Sequence, residues 1–371
     1  MSDVFIIESH PLAVAGVDRW VDHREEVWRY DLLNTSDEVV GELEGVEEGG
    51  TLDFSIHNTI RGTGSLPVSG DEVLSVDWDA HRVAPWFSID GGVTWEPYGV
   101  YLPTTPSVVF DEGTPSATVS LYDKLAIPAG AKTAEWYAVP AGTNPVSAAI
   151  TVLNWSGTQR VVAEPTTETL SVPMTWEPNT THLQIINRLL KSANYFSLTV
   201  DPSGAFRMDP YLAPAARGVA HEFRSGAASI HAGRIARVSD TFEIPNRVKL
   251  IGTSDGETPA LVSAPATDES PTNRYSFEVR GRWVDFVDTV EATSQSVLDA
   301  LAVRRLRELQ EPSASLELEW LPLPLTRVGL NSVVRLVDHP SGLDVPRASL
   351  QDFTITMATG ALASGRLVEL R

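Results

Sequence analysis

The stretch from Trp28 to Lys124 sets the terms for the fold, and its clearest part is WFSIDGGVTWEPYGVYLPTTPS, which begins at Trp86. Trp86, Phe87 and Ile89 run into Asp90-Gly91-Gly92, and Val93, Trp95, Tyr98, Val100 and Tyr101 follow. Asp-Gly and Gly-Gly admit positive φ at a two-residue turn, and the flanks are aromatic and β-branched, so the stretch predicts a β-hairpin. A second hairpin is expected from Val27–Leu33, the turn Asn34-Thr35-Ser36-Asp37, and Val39–Leu43. Leu52, Phe54 and Ile56 alternate with Asp53, Ser55 and His57, the period of a half-buried strand, and Ala117–Leu125 has the shape of a closing strand. About five strands before residue 126 suit a small barrel or sandwich.

The pattern changes after Ile127-Pro128-Ala129-Gly130. Asn144 is a good N-cap, Pro145 suits the first turn, and Val146, Ala149, Ile150 and Leu153 make an apolar stripe that Gly157 can end. A second helix is expected near Thr180, with Leu183, Ile186, Leu189, Leu190 and Ala193 on one face. Phe196, Leu198 and Val200 alternate into Asp201-Pro202-Ser203-Gly204, and Phe206 and Met208 return, so 126–212 predicts an α/β insertion. Strand character resumes at Ile244–Gly252, with a turn at Asp255-Gly256, and an exposed loop is expected over 264–274. The longest helix follows, capped by Thr293 or Ser294 and stopped by Pro312; Val297, Leu298, Leu301, Ala302, Leu306 and Leu309 are its apolar side. Arg304, Arg305 and Arg307 on it suit a solvated face, with Arg304 pairing to Glu308. Leu316, Leu318 and Trp320, then Val333–Val337, then Phe353, Ile355 and Met357, and last Leu367–Leu370, read as strands.

The residue pattern alone therefore predicts a mainly β class with α/β insertions, in the order strands, α/β insert, strands, helix, strands. The expected divisions are 1–125, completed by about 213–240, as a first β domain; 126–212 as the α/β insertion; and 241–371 as a second β domain with a loop and helical insertion over about 264–312; the barrel form of the two β domains is what the resemblance given below implies. No fixed-period repeat is visible.

The 371 residues include no cysteine, which removes disulfides, thiolate zinc sites and cysteine nucleophiles. The N-terminus has no basic segment before its short apolar run, and no window approaches the ~20 apolar residues that cross a bilayer, so synthesis and folding in a cytoplasm are expected. Net charge is −21, and residues 1–100 hold 20 acids against Arg19, Arg24, Arg29, Arg61 and Arg82, or −15. Such a surface repels nucleic-acid phosphates and anionic membranes. Acidity of this kind commonly serves solubility alone; the sharper alternative is a surface facing an anion that must not adhere.

The search for catalytic chemistry returns little. There is no Gly-Lys dipeptide for a phosphate loop, no nucleophile elbow and no HExxH. Gly62 and Gly64 begin a dinucleotide-like pattern that Pro67 breaks, and are expected to form a turn. His221, Glu222 and His231 match no metal-ligand spacing and read as packed or solvated histidines. Asp77 and Asp79 resemble part of a calcium loop but lack its glycine and distal glutamate. A carboxylate pair for glycoside hydrolysis is compatible with so acidic a chain. The ten tryptophans, among them Trp86, Trp95, Trp136, Trp155 and Trp176, suit either core packing or sugar stacking. The Asn-x-Ser/Thr triplets at Asn34, Asn154 and Asn179 are expected by chance. No catalytic, cofactor or metal residue is assigned.

Several segments, taken in order, resemble the minor tail proteins of long-tailed phages infecting actinobacteria. They are Arg61–Gly64 with Asp77-Trp78, Arg82–Phe87, Tyr98–Pro106, Val119–Leu125, Val139–Asn144, Ile185–Leu190, Ile244–Val248, Arg280–Trp283 and Glu291–Gln295. The resemblance spans nearly the whole chain and contains no catalytic signature. It implies a tail-tip hub similar to the baseplate hubs of contractile phages and to secretion-system spikes: two barrels per chain with α/β insertions, assembled as a homotrimer that mates with a sixfold tail tube. The implied partners are the distal tail protein, tail tube subunits and other minor tail or fibre subunits, and the implied location is the virion tail tip. Receptor binding or wall digestion would then belong to other subunits, and the acidic N-terminal region is a candidate lining for a DNA exit channel. The alternatives are a carbohydrate-binding receptor module and a tail-associated cell-wall hydrolase.

Overall fold

The computed structural model describes residues 24–157, 160–170, 172–226, 229–238, 242–252, 260–290, 295–310 and 314–370. The turn at Asp255-Gly256, the helix cap at Thr293 or Ser294 and the stop at Pro312 lie outside the described residues, as do the side chains of Val297 and Glu308.

The N-terminal hairpin pairs β1 (Val27–Leu33) with β2 (Val39–Glu42). Asn34 builds its turn by accepting the N–H of Ser36 and of Glu38 on Oδ1, at 2.8 and 3.0 Å, and Asp37 takes φ 63°. There follow β3 (Gly50–Ser55), β4 (Gly62–Ser69), the short helix α1 (Glu72–Ser75), β5 (Arg82–Ser88), β6 (Glu96–Pro97), β7 (Tyr101–Pro103), β8 (Val109–Asp111) and β9 (Thr114–Asp123). Neighbours run β2-β1-β5-β7-β9-β4-β3.

The ring closes because β2 and β3 are two limbs of one bent segment. Leu43 still donates to Tyr30 O on β1 (2.7 Å), whereas Glu47 donates to Pro67 O (2.9 Å) and Gly45 O receives Ser69 N–H (2.8 Å) from β4. Gly45 makes the bend possible: its φ is +68° and a Cβ there would stand 2.2 Å from Ser69 O.

The Trp86–Tyr101 hairpin forms, with Trp86 opposite Pro97 and Val83 opposite Tyr101. Its turn is wider than two residues. Asp90 holds it, accepting Thr94 N–H and the Ser88 hydroxyl at 2.8 Å each, so a side chain supplies the partners that a tight backbone turn would have provided.

The insertion comprises α2 (Ala126–Gly130), β10 (Tyr137–Val139), α3 (Pro145–Trp155), β11 (Val161–Ala163), β12 (Met174–Trp176), α4 (His182–Ser192), β13 (Thr199–Val200) and β14 (Phe206–Met208). Asn144 caps α3 through Ser147 N–H, and Thr181 with Gln184 forms a capping box on α4. The apolar faces of both helices, with Phe206 and Met208, make a core of their own.

β15 (Val219–Arg224) and β16 (His231–Val238) come next. They pair with strands of the C-terminal region, not with the first ring, so the segment expected to complete the first barrel closes the second instead. A small unit follows: β17 (Arg247–Gly252), β18 (Ala266–Thr267), α5 (Phe277–Arg280), β19 (Asp285–Val290) and α6 (Gln295–Leu309). β17 pairs with β18 and β19, and Val248 and Leu250 pack with Leu298, Ala302 and Leu306 of α6. The strand expected to rejoin the second barrel near 247 thus belongs to this unit.

The chain ends in β20 (Ser315–Trp320), β21 (Val333–Asp338), β22 (Leu343–Met357) and β23 (Ala363–Glu369). The second ring is β21-β22-β23-β20, with β16 on β20 and β15 on β21. β15 and β16 are successive in the chain and stand at the two ends of this strand order, as β2 and β3 do in the first ring.

Apart from β1, the two rings match strand for strand. β2/β3 corresponds to β15/β16, β4 to β20, β9 to β23, β7 with its short flanks to β22, and β5 to β21. β1 has no counterpart. It lies antiparallel to both β2 and β5, which makes those two parallel, and β15 accordingly pairs in parallel with β21. The barrels are mutual copies in topology, and their apolar interiors form one continuous core.

Candidate assembly site

The junction between the barrels is built by β22, whose fifteen residues exceed what its own ring requires. Residues 343–349 pair with β21 and 348–354 with β23, while Asp352–Met357 pair antiparallel with Ser55–Gly50 of β3. Period-2 alternation puts Phe353, Ile355 and Met357 inside, and all three are buried. Phe353 lies opposite Phe54, and the Ser55 hydroxyl and Arg366 both engage Asp352. Thr354 donates to Asp53 at 2.6 Å. Burial opposes the charge on Asp352, but Ser55 and Arg366 outweigh it and hold the carboxyl below its usual range.

A groove of about 440 Å³ follows this junction, lined by Asp53, Asp352, Glu317, Glu319, Arg234 and Arg366 among others. Its acids invite comparison with a glycosidase pair. A general acid needs a raised pKa, and Asp352 moves the other way.

Among the described residues, the carboxyl that does move up is Asp123, to about 6, pushed by burial and partly offset by N–H donors from Gly62 and Leu125 and by Arg61. Those bonds measure 2.6 and 2.8 Å. It faces a cleft of about 240 Å³ between both barrels and the insertion, whose walls include Arg61, Tyr98, Tyr101, Asp201 and Arg207. The other acid there, Asp201, is occupied by its own turn, accepting Ser203 and Ala205 N–H.

A lock ties the insertion to the first barrel. Asp37 pairs with Arg82, with Lys124 at 2.6 Å and with Arg160 at 3.5 Å. Lys124 also donates to Gly204 O at 2.8 Å. Burial works against the charge on Asp37, yet Lys124 and Arg82 hold it ionised below its ordinary range; burial pulls Lys124 down in spite of Asp37.

The sequence candidates for chemistry take structural places. Gly62 and Gly64 lie in strand β4, not in a turn, and a Cβ on Gly64 would meet Thr51 O at 2.3 Å. His221 and His231 are buried against Phe223, with ring centroids at 4.7 and 6.4 Å. Asp77 accepts Asp79 and Ala80 N–H in a turn. Among the described residues, no group of three or more acids and histidines is placed to hold a metal, and no helix is long and apolar enough to cross a membrane. Trp176 is buried, whereas Trp136 and Trp155 on the insertion are 66% and 49% exposed. The β22–β3 junction went unseen in the sequence because its partners lie some three hundred positions apart.

No family model and no curated protein matches the chain. Solved structures do. A tail protein of Neisseria meningitidis superposes with a TM-score of 0.61 at 13% identity, over 92% of this chain and 96% of its own. The 43 kDa tail protein of prophage MuSo2 from Shewanella oneidensis gives 0.60 at 14%, over 92% and 98%. An Escherichia coli component of the type VI secretion system, itself similar to the T4 bacteriophage tail proteins gp27 and gp5, gives 0.50 at 10%, over 88% and 74%. The fold is the mainly β one of phage tail proteins and hub-like secretion components, as the resemblance implied.

Proposed function

We propose that this chain is a structural subunit of a phage tail tip, a hub whose three copies set six barrels in a ring. The observation that carries this reading is the strand-for-strand match of the two rings. A threefold assembly of such chains offers six similar surfaces to a sixfold tail tube or distal tail ring, which chains with single barrels would not. The expected partners are those rings above, and further tip or fibre subunits below. The acids Glu38, Glu42, Glu44, Glu47 and Glu48 are all exposed, and in a ring they would help keep exiting DNA from adhering. The test is the mass of the purified chain in solution, together with its binding to tube and distal-tail subunits. A trimer that binds them supports the hub; a monomer that binds neither removes it.

A second reading rests on the exposed indoles. Trp155 meets Tyr137 edge-on at 4.8 Å, and Tyr137 stacks on Trp176 at 5.6 Å, a platform of the kind that stacks sugars. Binding of cell-wall glycans that disappears in W136A/W155A would favour a receptor module.

A further inference from the structure

The internal match of the barrels identifies what should cover two open strand edges. In the second ring β22 is one long strand. Its counterpart in the first ring is broken: β6 and Tyr101 pair with β5, β7 pairs with β9, and β8 pairs with β9 again. β8 therefore occupies the place of the outer end of β22. The counterpart of β3 is β16, paired with β20 as β3 is with β4. Inside the chain, β3 and the end of β22 join. Their counterparts, β16 and β8, each have one edge with no strand on it among the described residues.

We propose that β16 of one copy adds antiparallel to β8 of a second copy, repeating between chains the β3–β22 junction found within each. The occupant is a second copy because the first already shows how the two edges fit. It rests on the hub reading and specifies that hub's interface. The chemistry agrees. Val109 and Phe110 of β8 are each 62% exposed, and Val238 of β16 is 46% exposed. Asp111 ends β8 and Glu112 follows it, whereas Arg234 stands on β16, and all three are exposed; Arg237, also on β16, pairs with Glu369 of its own chain. Opposite charge favours β8 on β16 and disfavours either edge on itself. The contact is thus head-to-tail, which closes into a ring when the rotation per copy divides the circle.

A chain without cysteine permits a clean test. F110C and I235C proteins, prepared separately and mixed under mild oxidation, are expected to form a disulfide between chains, and neither alone is; neighbouring positions 109 and 111 against 234 and 236 cover a shift of register. D111K or R234E alone should weaken association at least tenfold, and the two combined should restore it. F110E, at an exposed position, should leave the circular dichroism of the fold intact and lower the assembly to single chains. A trimer that survives F110E and D111K and gives no mixed disulfide overturns this junction while the hub stands. A chain that stays monomeric at every concentration and ignores tube subunits overturns both.

Discussion

Phe54 and Phe353, one from each barrel, stack with ring centroids 4.6 Å apart and planes 17° apart, directly opposite each other in the β3–β22 ladder. Phe353 is 4% exposed and also meets Trp320 at 6.4 Å. F353A should therefore cost about 3–5 kcal/mol, the range for emptying a buried aromatic site. The coupling to Phe54 in a double-mutant cycle should be about 0.5–1.5 kcal/mol. Denaturant unfolding of the two single variants and the double variant measures both; a negligible coupling would mean that the rings merely adjoin.

Gly365 lies across from Phe353 on the neighbouring strand. A Cβ there would stand 2.6 Å from the Trp320 ring and 2.8 Å from Asp352 O. G365A is expected to destabilise by about 1–3 kcal/mol through overpacking. An unchanged unfolding midpoint would show that Trp320 yields freely.

D37N should do more harm than its place in a hairpin turn suggests. The side chains of Arg82 and Lys124 are 9% and 1% exposed, and removal of their counterion leaves buried charge unmatched, at a cost of about 3–5 kcal/mol. Arg160, half exposed, adds little. Limited proteolysis should then cut the join between the first barrel and the insertion before it cuts the barrels. Simultaneous cleavage throughout would argue that the lock is dispensable.

Asp37 and Asp123 give opposite pH signatures. Asp37 is depressed in the folded protein, so its contribution is present above its unfolded pKa of about 3.9 and fades as pH falls through the folded value. Asp123 is raised to about 6. Its folded form binds the proton more tightly, so stability is greatest below about 3.9 and declines as pH rises through 6. Unfolding midpoints measured from pH 4 to 7 should show that decline in the wild type and a flatter profile in D123N. Identical profiles would remove the assignment.

Local elements were legible where local chemistry decides them. The alternation Leu316–Trp320 buries every second residue, and the caps at Asn144 and Thr181 start their helices within a residue or two of the expected places. Closure of the rings was not legible. It depends on a bend near Gly45 whose purpose appears only when Ser69 is beside it. The duplication was also hidden, because β22 is continuous where β6, β7 and β8 are broken, and hydrogen-bond partners repeat while side chains do not. The helix of the unit built on β17 was legible, but its first strand reads as part of the barrel because Arg247–Gly252 has the composition of any buried strand, and only its packing on α6 tells it apart. Among candidate sites, the edges at β8 and β16 were not legible, since an unpaired strand has the same sequence as a paired one.

The sharing of β22 between the two barrels also has a mechanical meaning. A girder of backbone hydrogen bonds spans the two cylinders, so tilting one against the other would require snapping several rungs together. Load applied to one cylinder is handed to the other, and flexing is left to the salt-linked side module.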